Sequence, residues 1–215
     1  MRIKVCGLTR QKDIDVCREM GAHWAGFIFH PDSPRSISPE KVASLETGDL
    51  WRVGVLVRQA PEEALDLVRR CRLDLVQLHG DQNPDFCRRM GPQRVIRTFW
   101  PKRYQKEEDL QRELDRYADC CAWFLLDAGL SGGGHGRRIE AEWLGRGLRF
   151  ERPWLLAGGL GPESVGAGLT LEPDGVDLNS GVEAAPGVKN PQAIAQTLST
   201  LQSIFPESPT EYNEA

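Results

Sequence analysis

RVGVLVRQAPEEALDLVRRCRLDLVQLHGD, residues 52–81, decides the fold. RVGVLV at 52–57 is a short, β-rich apolar run, and PEEALDLVRRC at 61–71 switches to helical spacing and helix-favouring residues. DLVQLH at 74–79 then returns to strand. Strand, helix and strand in one short stretch call for parallel pairing with a helical crossover.

The same alternation runs along the chain. Further β-rich runs are IKVC at 3–6, WAGFIF at 24–29, RVIRTFW at 94–100, CAWFLLD at 121–127, PWLLAG at 153–158 and GVDLNS at 175–180. NPDFCRRMG and KEEDLQRELDRYA carry helical spacing between them. The total is about eight strand-helix units, which close most naturally into a single (β/α)8 TIM barrel of the α/β class. A doubly wound open sheet would carry a GxGxxG turn after its first strand, and none follows IKVC. The barrel is expected over residues 1–205, with the polar end 206–215 as a frayed tail.

Composition narrows the partners. The chain has 215 residues, 40% hydrophobic and 27% charged, with a net charge of -4. That balance gives no generic electrostatic hold on nucleic acid, so a small metabolite is the expected partner. The six cysteines show no CxxC spacing and no nearby histidine pattern, so neither a zinc site nor a disulfide framework is expected. Apolar runs fall short of the ~18 residues a membrane span needs. A cytoplasmic protein with reduced thiols, monomer or homodimer, is the expectation.

In such barrels the chemistry lies at the C-terminal ends of the strands. Strand one ends at Cys6-Gly7, strand two leads into PDSPRSISP with Arg35, and strand four ends QLHGD with His79. Strand six ends at Asp127, strand seven at Gly158-Gly159, and strand eight at Asp177-Leu178-Asn179-Ser180-Gly181. Alternation puts Lys4 with Cys6, Gln77 with His79, and Asp177 with Asn179 on common faces. If those faces point inward, Lys4 is a buried cation that needs a carboxylate, and Asp177 is the first choice.

Each strand end also has an ordinary structural explanation. Glycines end strands, but two pairs after consecutive strands, Gly158-Gly159 and Ser180-Gly181, suit backbone contact with a phosphate. A lone histidine is more often structural than catalytic, and a loop arginine is usually solvated, although its planar fork suits a carboxylate or phosphate. Aspartates cap helices, yet Asp127 is followed by glycines rather than a helix start. The stretch GGGHGRR at 132–138 reads as a lid or a connector, with His135 and Arg137 able to close on an anion.

Taken in order, KVCGLTR, GFIFHPDSPRSIS, VQLHGD, LLD, LAGGL and GVDLNSGVEAAPGVKN resemble the phosphoribosylanthranilate isomerase family of tryptophan biosynthesis, over roughly residues 2–200. The resemblance implies a (β/α)8 barrel catalysing an Amadori rearrangement that needs no cofactor and no metal. It implies Cys6 as general base, Asp127 as general acid and Arg35 as the grip on the anthranilate carboxylate. His79 and Asp177 match further active-site positions, and Gly158, Gly159, Ser180 and Gly181 match the phosphate site. A free thiol has a pKa of ~8.5, so the site is expected to lower that of Cys6, with Lys4 or backbone amides as candidates.

The chain departs from the family pattern in two places. GGHGRR stands where GGTGK is usual, and Asn179 stands where a serine is common. Two kinds of rival remain. Another phosphosugar barrel would be expected to bring catalytic lysines and a glutamate, or a metal-binding set, at its strand ends. A non-catalytic phosphosugar-binding protein would be expected to lose Cys6 or Asp127.

Overall fold

The structure is a computed structural model and describes residues 1–127 and 147–204. Eight strands form a closed barrel in sequence order: β1 (Arg2–Val5), β2 (Trp24–Ile28), β3 (Trp51–Leu56), β4 (Leu75–Leu78), β5 (Val95–Phe99), β6 (Trp123–Asp127), β7 (Trp154–Ala157) and β8 (Gly175–Leu178). Every neighbouring pair is parallel, and β1 closes the ring against β8 with Lys4 opposite Asp177. Each expected strand is present. Most are trimmed by a residue or two, because the last residues of the apolar runs turn into the loops that carry the site.

The helices follow their strands. They are α1 (Gln11–Glu19), α2 (Pro39–Ser44), α3 (Pro61–Cys71), α4 (Pro84–Met90), α5 (Glu107–Tyr117), α6 (Val165–Gly168) and α7 (Pro191–Ile204). Local chemistry starts several of them. Ser38 Oγ accepts the Lys41 N–H ahead of α2, and Asn83 Oδ1 accepts the Phe86 N–H ahead of α4. Proline opens α2, α3, α4 and α7, where its missing N–H costs no helical bond.

The strands bury both faces, as parallel strands must. Outward residues such as Val5, Phe27, Leu56, Val76 and Phe124 pack with the helices. Inward residues Trp24, Val53, Leu75, Ile96, Leu125 and Leu155 fill the barrel as a separate apolar plug. Above that plug the inward positions turn polar, with Lys4, Gln77, Thr98 and Asp177 all buried. The plug is the floor and the polar layer faces the C-terminal mouth.

One element lies outside the eight-unit plan. Between β8 and α7 the chain makes a small antiparallel hairpin, β9 (Glu183–Ala185) and β10 (Val188–Lys189), turning at Gly187 with φ +76°. Thr9 Oγ1 donates to Gly187 O at 2.8 Å, and the Arg10 guanidinium reaches Lys189 O at 3.4 Å. The hairpin thereby clasps the loop after β1. Residues 132–138, read above as a lid or connector, and the expected tail 206–215 lie outside the described residues.

Candidate active site

Cys6 sits one residue past β1, its N–H bonded to Leu178 O of β8 at 2.8 Å. Its side chain points inward beside Ile28 and Val55. Gly26 of β2 makes the space: a Cβ there would lie 2.9 Å from the sulfur and 3.0 Å from Cys6 Cα. Lys4, one inward position below, is fully buried and donates to Asp177 Oδ1 at 2.8 Å. The pairing expected from the sequence is therefore present. Burial penalises the ammonium, but Asp177 and Cys6 outweigh that and raise the Lys4 pKa above its ordinary value.

The thiol goes the other way from expectation. Burial pushes Cys6 up, Lys4 pulls it down, and burial wins, because a thiolate loses more hydration at 3% exposure than one shared cation returns. Cys6 therefore rests as a thiol.

Asp127 ends β6 on the same mouth, and His79 lies one residue past β4, with His79 Nε2 4.0 Å from Asp127 Oδ2. In the amide orientation assigned to Gln77, its Nε2 donates to His79 Nδ1 at 3.1 Å, which leaves the ring proton on Nε2, facing the carboxylate. Burial, with Lys4, Arg103 and Arg97 nearby, lowers the His79 pKa to about 4, so the ring is neutral at pH 7. Trp100 packs edge-on against it at 5.0 Å, and Arg103 stacks over Trp100 at 3.9 Å. Behind the strand Arg97 donates to Leu78 O and Gly80 O, pinning the backbone on either side of His79.

The glycine turns lie side by side. Gly158 and Gly159 take φ +118° and +75°, a conformation side chains resist. A Cβ on Gly161 would lie 2.3 Å from Gly181 O, and one on Gly181 would lie 2.1 Å from Leu160 O. The loops after β7 and β8 therefore touch through bare backbone. Ser180–Val182 forms a single 3-10 turn whose first N–H groups point out of the helix start.

Arg35 reaches the mouth from the loop after β2, its side chain lying over Gly7. Its guanidinium is gripped by Glu183: Nε lies 3.0 and 3.1 Å from the two carboxylate oxygens and Nη2 lies 2.8 Å from Oε2. Sequence reading missed Glu183 and its partner Lys189. Both stand in the quoted GVDLNSGVEAAPGVKN string, but nothing local ties them to an arginine 148 positions away. Among the described residues no group of three histidines, cysteines or carboxylates is placed to hold a metal, and no helix is long and apolar enough to cross a membrane.

A closed parallel barrel with a thiol, a carboxylate and a neutral imidazole around one mouth is a (β/α)8-barrel enzyme equipped for acid–base chemistry. The family model for N-(5'-phosphoribosyl)anthranilate (PRA) isomerase matches residues 3–200, and the chain belongs to that family. An N-(5'-phosphoribosyl)anthranilate isomerase from Desulfovibrio desulfuricans is 55% identical over 199 residues, covering 92% of this chain and 94% of that one. The solved phosphoribosyl anthranilate isomerase of Thermus thermophilus superposes with a TM-score of 0.79 at 33% identity, over 95% of this chain and all of its own. A phosphoribosyl anthranilate isomerase solved in complex with reduced 1-(o-carboxyphenylamino)-1-deoxyribulose 5-phosphate gives 0.75 at 32% identity, over 94% of this chain and 99% of that one.

Proposed function

We propose that Cys6 and Asp127 act as base and acid in the isomerisation that family membership assigns to this chain, N-(5'-phosphoribosyl)anthranilate to 1-(2-carboxyphenylamino)-1-deoxyribulose 5-phosphate, in tryptophan biosynthesis. One observation carries the reading: a thiol just past β1 and a carboxylate ending β6 stand at one mouth, and Gly26 opens the space the thiol occupies.

Asp127 gives a proton to the ribose ring oxygen as the C1–O bond breaks, and the anilino nitrogen lone pair forms the C1=N iminium. Cys6 removes the proton on C2, and that electron pair becomes the C1=C2 bond of an enolamine. The C2 hydroxyl then loses its proton while C1 gains one, giving the ketone. Because Cys6 rests as a thiol, it releases its own proton to solvent before it takes the one on C2, and the positive iminium beside it favours the thiolate at that stage. Neutral His79, with its Nε2 proton toward Asp127, favours the carboxylate that Asp127 becomes once its proton has been given away, and holds no extra proton to compete for the role. Asp177 keeps Lys4 in place below the thiol.

The substrate carries two anions and a polyol. The paired glycine turns, Gly158-Gly159 and Ser180-Gly181, suit the phosphate, since glycine lets the backbone approach an anion closely. Arg35 suits the anthranilate carboxylate. A cytoplasmic location fits six free, buried thiols.

Turnover of the anthranilate adduct, followed by decay of its fluorescence, tests the assignment. Cys6→Ser and Asp127→Asn should each lose about 10²–10⁴-fold in kcat. Near-wild-type rates in either variant would remove that residue from its role.

A further inference from the structure

One charge cluster at the mouth is not used by the acid–base steps. Lys189 lies opposite Glu183 in the β9–β10 hairpin and is wholly buried. Its Nζ lies 2.8 Å from Glu183 Oε1, 3.1 Å from Asn179 O and 3.0 Å from Asn179 Oδ1. Three acceptors match the three protons of an ammonium, whereas a neutral amine has two to give. The other side of Glu183 holds Arg35 through Nε and Nη2, leaving Nη1 outside those bonds.

Charge decides what this arrangement can do. An arginine gripped by one glutamate is a neutral pair with no net attraction for a second carboxylate. Adding Lys189 makes two cations and one anion. The neighbouring Arg10 and Asp13 pair with each other at 2.7 Å and reach only the Lys189 main chain, so they leave that sum unchanged. Burial pushes Glu183 up, but its bonds from Arg35 and Lys189 hold it below the usual carboxylate range. Burial outweighs the pull of Glu183 and holds Lys189 below its ordinary value.

We propose that Lys189 is a positioning residue for substrate recognition: through Glu183 it fixes the fork of Arg35 and leaves the cluster one surplus positive charge for the carboxylate of the aromatic amine. The proposal rests on the reading of Arg35 given above. It makes the hairpin after β8 part of the specificity for an ortho-carboxylated ring.

Calorimetric titration of the full chain with two stable ligands tests it. One is reduced 1-(o-carboxyphenylamino)-1-deoxyribulose 5-phosphate, and the other is the same molecule with an unsubstituted phenyl ring. Lys189→Met should raise Kd about tenfold for the first, about 1.4 kcal/mol, and leave the second within about twofold. The double variant Lys189→Met with Glu183→Gln restores the surplus charge and should recover most of that loss. Equal weakening of both ligands, no weakening of either, or a double variant weaker than the single would overturn the proposal. Should the methionine variant fail to fold by circular dichroism, Lys189→Gln, alone and with Glu183→Gln, carries the same expectations. Failure of the wild type to bind the carboxylated ligand would instead sink the functional reading itself.

Discussion

Lys4 Nζ and Asp177 Oδ1 meet at 2.8 Å inside the barrel, on the two strands that close it, and neither side chain is more than 7% exposed. A buried pair of this kind is costly to break on one side, because the remaining charge has nowhere to go. Lys4→Met should destabilise the chain by about 3–5 kcal/mol in urea unfolding, and adding Asp177→Leu should return much of it. The sign with pH follows from the raised pKa of Lys4. Its contribution is full below the unfolded value of about 10.4 and is lost as pH rises through the folded value. The gap between wild type and Lys4→Met should therefore hold from pH 6 to about 10 and narrow only above the unfolded value of about 10.4.

His79 gives the opposite, acid-side signature. Its pKa falls to about 4 in the fold against about 6.5 unfolded, so its neutral form contributes stability above 6.5 that is lost as pH drops through 4. Urea midpoints for wild type should fall between pH 6.5 and 4.5 more steeply than those of His79→Asn. Parallel curves for the two proteins would mean the ring is not held neutral by its surroundings.

The buried thiols predict alkaline sensitivity. Cys17 and Cys87 are each pushed up to about 12 by burial, so their protonated forms stabilise the fold below the unfolded value of about 8.5. Above that pH each should cost up to about 1.4 kcal/mol per pH unit until its folded pKa is reached. Cys17→Ala, though less stable at pH 7, should show a shallower decline from pH 9 to 10.5 in denaturant titrations. An unchanged slope would show that Cys17 ionises as readily folded as unfolded.

Two glycines should report on separate halves of the site. Gly26→Ala puts a methyl 2.9 Å from the Cys6 sulfur, and overpacking of this kind costs about 1–3 kcal/mol. It should lower kcat more than it raises KM, since the displaced atom is the proposed base. Gly181→Ala forces a methyl against Leu160 O and should chiefly raise KM and weaken inorganic phosphate as a competitive inhibitor. The reverse pattern would overturn both assignments.

Much of this was legible in the chain itself. β-Branched runs alternating with helical spacing give eight parallel strands, and the inward alternation of Lys4, Cys6 and Asp177 gives their shared face. Asp177 was foreseeable as the partner of Lys4 because a buried ammonium demands a carboxylate. The β9–β10 hairpin was not, because strands of three and two residues are too short to carry a periodic signal. The grip of Glu183 on Arg35 spans 148 positions and exists only through tertiary packing. The direction of the Cys6 shift was misjudged for a related reason: sequence shows the neighbouring lysine but not how completely the sulfur is dried. His135 and Arg137 lie outside the described residues.

The ring closure between β1 and β8 also has a timetable. Lys4 and Asp177 are 173 positions apart. At about 5–20 residues per second, a ribosome makes the second roughly 10–35 s after the first. Throughout that interval the first strand has a bare edge, its lysine lacks a counter-ion and its cysteine lacks cover. β1 is therefore made well before the strand that completes it, and the proposed base waits on an unclosed edge until β8 emerges.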